Sequence, residues 1–295
     1  MMTIEVEDIG ARLAAGGVLS SGDARALWAS RDVLAVGALA DEVRRRRHGD
    51  RATFVRVVAV AAEGPLPDAW AAAAGELRIV GRPVDAAHAE RLVRDVVARA
   101  AGTPVTAFSL ADLEEVAGAA GLRDLVARVA GAGAAAIAEL PVDRVADARS
   151  SAEAVVQAGA AVARVTVEAA GDPVGHALAV RALQRHTGAV RAFAPLPLRV
   201  ASTAPTTGYQ DVKAIAVARL LLDDVGTIQV DWARSGPKLA QVALLFGADD
   251  LDGVPASEDA AEGRRRSPLE EVRRSIRAAA LTPIERDGRF AVREG

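Results

Sequence analysis

Three carboxylates, Glu139, Glu168 and Asp231, stand near the ends of segments that read as β-strands. In a barrel of parallel strands such positions gather at one end, where a carboxylate can act as acid or base. The plainer alternative is that each caps the next turn or pairs with an arginine. Trp232, beside Asp231, could stack on a planar ligand or lie buried between strand and helix. A second feature is the run Ser235, Gly236, Pro237, Lys238, where Pro237 suits the first position of a helix. Free N–H groups at such a start favour an anion, and Lys238 opposes the helix dipole unless an anion offsets it. A surface helix start without a ligand is the alternative.

Other constellations fail on spacing. Asp249, Asp250 and Asp252 look like a divalent-metal cluster, yet the twelfth position counted from Asp250 is Ala261 and the glycine comes too early for a calcium loop. They read as turn residues and a helix cap. His48, His88, His176 and His186 lack the H-E-x-x-H spacing of a zinc helix, and no G-x-S-x-G is present. The chain has no cysteine, which removes disulfides, thiolate zinc sites, thiol nucleophiles and a cysteine-held iron–sulfur cluster from it. No metal ligand set is expected.

The elements that must position these residues alternate. Residues 4 to 48 read as helical. Thr53 to Ala61 is a β-branched first strand, followed by a weak Ala-rich helix before the short strand Leu77 to Val80. Helices and strands then alternate through strands near Val105, Ala134, Val162 and Val190, and the last leads into Pro195–Leu196–Pro197. The clearest unit is TGYQDVKAIAVARLLLDDVGTIQVDWARSGPKLAQVALLFGADDLDG, Thr207 to Gly253. It holds a capping box from Thr207 to Gln210, a helix, an alternating strand and a second helix. Strands separated by helices argue for a parallel sheet covered on both faces. The expectation is an α/β fold, a (β/α) barrel of the TIM type, partial or complete. An N-terminal helical segment (1–50) would precede the barrel (51–253), and a mobile linker, helix and charged tail (254–295) would follow it.

Aromatics make up 3% of the chain against 51% hydrophobic residues, so Ala, Val and Leu must fill the core. A net charge of −3 disfavours nucleic acid, and the Arg44 to Arg47 run reads as a solvated helix end. No apolar run is long enough to span a bilayer, and the opening MMTIEVEDIG lacks a signal-peptide pattern. A cytoplasmic protein is the expectation.

The Thr207 to Gly253 stretch resembles the C-terminal part of aminodeoxyfutalosine synthase, a radical S-adenosylmethionine enzyme of the futalosine route to menaquinone. DVLAVGALADEVRRRRHGDRATFV, ELRIVG, RALQRHTGAVRAFAPLPL and LTPIERD are similar to the same family. The resemblance implies a (β/α) barrel of the radical-S-adenosylmethionine type. It also implies a C-x-x-x-C-x-x-C loop after the first strand, which here has shrunk to Ala62 to Ala74 without a cysteine. Where the family places two glycines for the amino-acid end of S-adenosylmethionine, this chain has Gly81 followed by Arg82, whose side chain would fill that space. No cofactor is therefore expected, and S-adenosylmethionine binding is doubtful. Two readings follow. One is a non-catalytic paralogue acting as a ligand-binding protein or as partner of an active synthase, in a heterodimer or as a homodimer. The other is a non-radical enzyme that holds a small anionic ligand with Gly81, Trp232, Gly236 and Lys238 and uses Asp231, Glu168 or Glu139 for proton transfer.

Overall fold

The computed structural model describes residues 6–67, 70–200, 205–257 and 266–293. Three helices come first: α1 (Val6–Ala14), α2 (Ser21–Ala29) and α3 (Val33–His48). The Ser20 side chain and the Asp23 carboxylate close a reciprocal box at the start of α2, and Asp32 caps α3 through the Ala35 N–H at 2.9 Å. These helices are no separate layer, for α3 packs on α8 and α2 packs on α7 and α8. Arg44, expected in solvent, is fully buried on α3 and donates to Asp41 at 2.9 Å and to the Gly49 carbonyl at 3.2 Å.

The barrel follows as β1 (Arg51–Ala61), β2 (Glu76–Val80), α4 (Ala86–Arg99), β3 (Val105–Ser109), α5 (Leu110–Gly131), β4 (Ala136–Pro141), α6 (Ala148–Gln157), β5 (Val162–Ala169), α7 (Pro173–Thr187), β6 (Ala192–Arg199), α8 (Gly208–Leu221), β7 (Thr227–Asp231), α9 (Trp232–Leu244) and β8 (Asp250–Pro255). All neighbouring strands are parallel, and β1 pairs with both β2 and β8, so the barrel is closed and complete. The weak helix expected before β2 does not form among the described residues 70–75, which make a turn whose Gly75 N–H reaches the Arg56 carbonyl at 2.8 Å. β6 runs on through Pro195 and Pro197. Its ladder to β7 stops after Phe193, so that flank needs no N–H from either proline.

The C-terminal segment departs most from expectation. After α10 (Pro268–Ala278), β9 (Thr282–Glu285) joins the sheet instead of trailing as a charged tail. β9 pairs with Arg51 to Phe54 of β1, on the flank that β2 takes further up, because β8 holds the other. The chain is thereby stitched into the foot of the barrel: Arg286 N–H donates to the Phe54 carbonyl at 2.9 Å and Gly288 N–H to Gly75 at 3.0 Å. Most of the expected linker, residues 258–265, lies outside the described residues.

Candidate functional site at the mouth of the barrel

Barrels of this kind usually fill their interior with layers of branched apolar side chains. Here strand alternation points charged residues inward instead. At the foot, Asp250 accepts from Arg286 Nε and Nη2 at 2.6 and 2.7 Å, from Thr53 Oγ1 at 2.5 Å and from Gln229 Nε2 at 2.7 Å. The Arg286 guanidinium also lies 3.9 Å from the Phe290 ring centre. One layer up, Arg78 donates to Glu76 at 2.8 and 3.0 Å and to Asp252 at 2.9 and 2.7 Å, saturating one guanidinium with two carboxylates. Arg164 joins the same Asp252 at 3.0 Å and Glu139 at 3.2 Å, while Thr106 Oγ1 completes Glu76 at 2.6 Å.

Each buried charge therefore has a partner, as the cost of ionic burial requires. Burial works against the Asp252 carboxylate, but Arg78 and Arg164 outweigh it and hold its pKa well below the usual range. Burial likewise opposes the Arg78 cation, and Asp252 with Glu76 more than offset it. The Asp249–Asp250–Asp252 cluster is thus neither a turn nor a cap. Asp250 and Asp252 are the interior face of β8. Asp249 is buried between barrel and helices, paired with Arg219 of α8 and accepting from the Ile228 N–H at 2.8 Å.

Above this ionic plug lies a cavity of about 500 Å³ at the C-terminal ends of the strands. Glu139, Glu168, Asp231 and Gly81 all line it, so the structure brings the three sequence-derived carboxylates together. They are not equivalent. Glu168 pairs with Arg199 at 2.8 Å. Asp231 caps the first turn of α9 through the Arg234 N–H at 3.0 Å, and the Arg234 guanidinium stands 3.6 Å away. Burial, then the nearby Asp252 charge, pushes the Asp231 carboxyl above the usual range; the Arg234 N–H, Arg164 and Arg78 pull the other way. Gly253, at φ 68°, makes room for that carboxylate, since a Cβ there would stand 3.0 Å from Asp231 Oδ1.

Residues that sequence reasoning passed over complete the wall. Phe108, the penultimate residue of β3, sits at φ 60°, a conformation that costs a bulky side chain about 1–3 kcal/mol and that clusters at functional sites. Ser109 follows it, in register with Glu139, which is in register with Arg164. The Ser109 hydroxyl is buried and has no hydrogen-bond partner among the described residues, although the residue lines the cavity. A lone serine after a phenylalanine carries no sequence signal of this.

The expected anion-binding group does not assemble there. Trp232 is buried at the first position of α9 and does not line the cavity. Gly236, at φ 71°, kinks α9 between its capped first turn and Pro237, and Lys238 faces a different groove on the outer surface. Arg82 does not enter the cavity either; it is exposed and pairs with Glu115 at 2.7 Å.

A cysteine-held cluster would need donors in the loop after β1. Residues 62–75 contain none, and neither does any other part of the chain. The carboxylates of the interior are hard ligands already taken by guanidinium groups. The residues present do not fit such a cluster.

Comparison with known proteins agrees with this architecture. Residues 197–295 match the family model of the CofH/MqnC C-terminal region. The chain is 34% identical over 127 residues to a 5-amino-6-(D-ribitylamino)uracil–L-tyrosine 4-hydroxyphenyl transferase of Archaeoglobus fulgidus, covering 39% of this chain and 37% of that protein. It is 34% identical over 140 residues to aminodeoxyfutalosine synthase of Streptomyces coelicolor, covering 40% and 36%. The matched stretch thus spans little more than a third of these relatives. In fold, the chain superposes on methylornithine synthase (PylB) with a TM-score of 0.68 at 15% identity, over 93% of this chain and 97% of the other. HydG, a maturase of the [FeFe]-hydrogenase, superposes with a TM-score of 0.68 at 13% identity, over 96% and 76%. Both solved structures thus share the closed barrel fold of this chain.

Proposed function

From a chain similar over 40% of its length to aminodeoxyfutalosine synthase, we propose a barrel that binds a small molecule of the futalosine route at its mouth without radical chemistry, as a non-catalytic partner of an active synthase. The observation that carries this reading is a mismatch inside one molecule. The chain offers no thiolate, yet the mouth keeps a cavity of about 500 Å³ with a strained wall, a Ser109 hydroxyl without a partner among the described residues and two lightly used carboxylates, Glu139 and Asp231.

The ligand's chemistry follows from what the wall still offers. Arg78, Arg144 and Arg164 are already matched to carboxylates, so little cationic capacity is left for a polyanion. Glu139 and Asp231 each retain free lone pairs, which suit hydroxyl or amino donors. A nucleoside-like molecule with one acidic group fits this balance better than a multiply charged one.

Titration calorimetry of the purified chain with futalosine, inosine, S-adenosylmethionine and chorismate-derived enolpyruvyl acids tests the ligand half. Binding of one compound that weakens about tenfold, near 1.4 kcal/mol, in Glu139→Gln is the expected result. Co-purification with the synthase, and a change in its turnover, tests the partner half. Silence from every compound, together with independent elution and unchanged turnover, refutes the proposal.

A further inference from the structure

Lys238, which the mouth leaves unused, lines a second groove of about 710 Å³ on the outside of the barrel, between α3, α8 and α9. Its lining is largely apolar, with Val212 and Phe246 buried, while Leu34 and Tyr209 stand 76% and 75% exposed. Large apolar side chains this open, grouped around one concavity, mark an interaction surface more often than chance exposure.

Its electrostatics choose among occupants. Arg31 and Lys238 line the groove, and among the described residues neither side chain has a hydrogen-bond or ion-pair partner. Most other cations around the barrel are paired. The one carboxylate in the lining, Asp32, is engaged in capping α3 through the Ala35 N–H. Three helix starts meet here as well: α3 at Val33, α8 at Gly208 and the second segment of α9 at Pro237. Each contributes roughly half a positive charge at its first turn. The groove is therefore apolar inside and positive around its edge.

We infer that this groove docks an amphipathic acidic helix of another protein, with apolar side chains entering between Leu34 and Tyr209 and carboxylates meeting Arg31 and Lys238. This is the helix-in-groove mode, with anchors spaced i, i+3/i+4 and i+7. A second copy of the chain fits poorly. A two-fold contact would set the Arg31 and Lys238 edge against itself, and like charges across an interface are costly. The surface stands whatever the mouth binds.

The test uses the full chain and a displayed library of 16-residue helices with apolar residues at those spacings and randomised charge elsewhere. Recovered binders are expected to carry a net negative charge. Their affinity is expected to fall at least tenfold in Arg31→Glu/Lys238→Glu and in Leu34→Asp. These variants should fold, because Arg31, Leu34 and Lys238 are exposed and Leu34 and Lys238 stand in first helical turns, where an acidic residue suits the dipole. Neutral or basic binders, or acidic binders indifferent to both variants, overturn the inference. So does a concentration-dependent dimer dissociated by Tyr209→Asp, which would make the occupant a second copy. Sedimentation with vesicles of phosphatidylcholine and phosphatidylglycerol that is lost in Leu34→Asp would overturn it in favour of a membrane surface.

Discussion

Arg286 closes the foot of the barrel on Asp250, with Nε and Nη2 each bonded to one carboxylate oxygen at 2.6 and 2.7 Å. The two residues come from β8 and from the segment just beyond β9, so the pair ties the last strand into the eight-stranded core. Both side chains are essentially without solvent contact. Removing one partner strands the other charge in the interior, which typically costs about 3–5 kcal/mol.

Arg286→Met should therefore lose about 3–5 kcal/mol in urea unfolding. Arg286→Met with Asp250→Asn should lose less than Arg286→Met alone, since the orphaned charge is gone. Equal losses in the single and double variants would mean that the pair matters for packing and not for charge.

His48 gives the fold a pH dependence of known sign. Burial, then the Arg219 charge, with Arg44 and Arg47 behind it, lowers its pKa from 6.5 to about 4, while its hydrogen bond to Gly226 works the other way. The unfolded chain takes up a proton near 6.5 that the folded chain refuses until about 4. Stability from this group is thus complete above 6.5 and is lost as pH falls toward 4, by an amount on the order of 2 kcal/mol once solvent screening of the partly exposed ring is discounted. His48→Gln should flatten the unfolding free energy between pH 7 and 4, measured by chemical denaturation.

Gly37 of α3 faces Phe246, and a Cβ built on it would fall 2.5 Å from the ring. Gly37→Ala should cost about 1–3 kcal/mol by overpacking, seen as a lower Tm. In a Phe246→Leu background the same change should cost much less, because the smaller side chain vacates the space.

At the mouth, Asp231 should set the lower pH limit of ligand binding. Its carboxyl is held above the usual range, first by burial and then by Asp252. Affinity for a ligand that donates to it should fall as pH drops through that raised value, before ordinary carboxylates protonate. Asp231→Asn should weaken binding about tenfold, near 1.4 kcal/mol, and should abolish that inflection in a calorimetric pH series.

Much of the scaffold was legible in residue order. The Thr207–Gln210 capping box, the strand beginning at Thr227 and the Pro237 helix start are local signals, and all three occur in the structure. The three mouth carboxylates were legible too, because strand ends in a parallel barrel converge whatever the details of packing. The Ala-rich stretch before β2 misled because composition favours a helix there while Gly75 must bond back to β1. The ending misled because a charged tail and a strand completing a charged interior look alike until the partner is known.

The lack of cysteine is a matter of composition, so the absence of cluster-binding thiolates from this chain was settled by its sequence alone. What occupies the barrel instead was not. Asp252 meets Arg78 and Arg164 across 174 and 88 residues of chain, and Asp250 meets Arg286 across 36. Strand alternation could place each of these on an inward face. Only closure of the sheet sets opposite charges within hydrogen-bond reach, and only that proximity makes burying them tolerable.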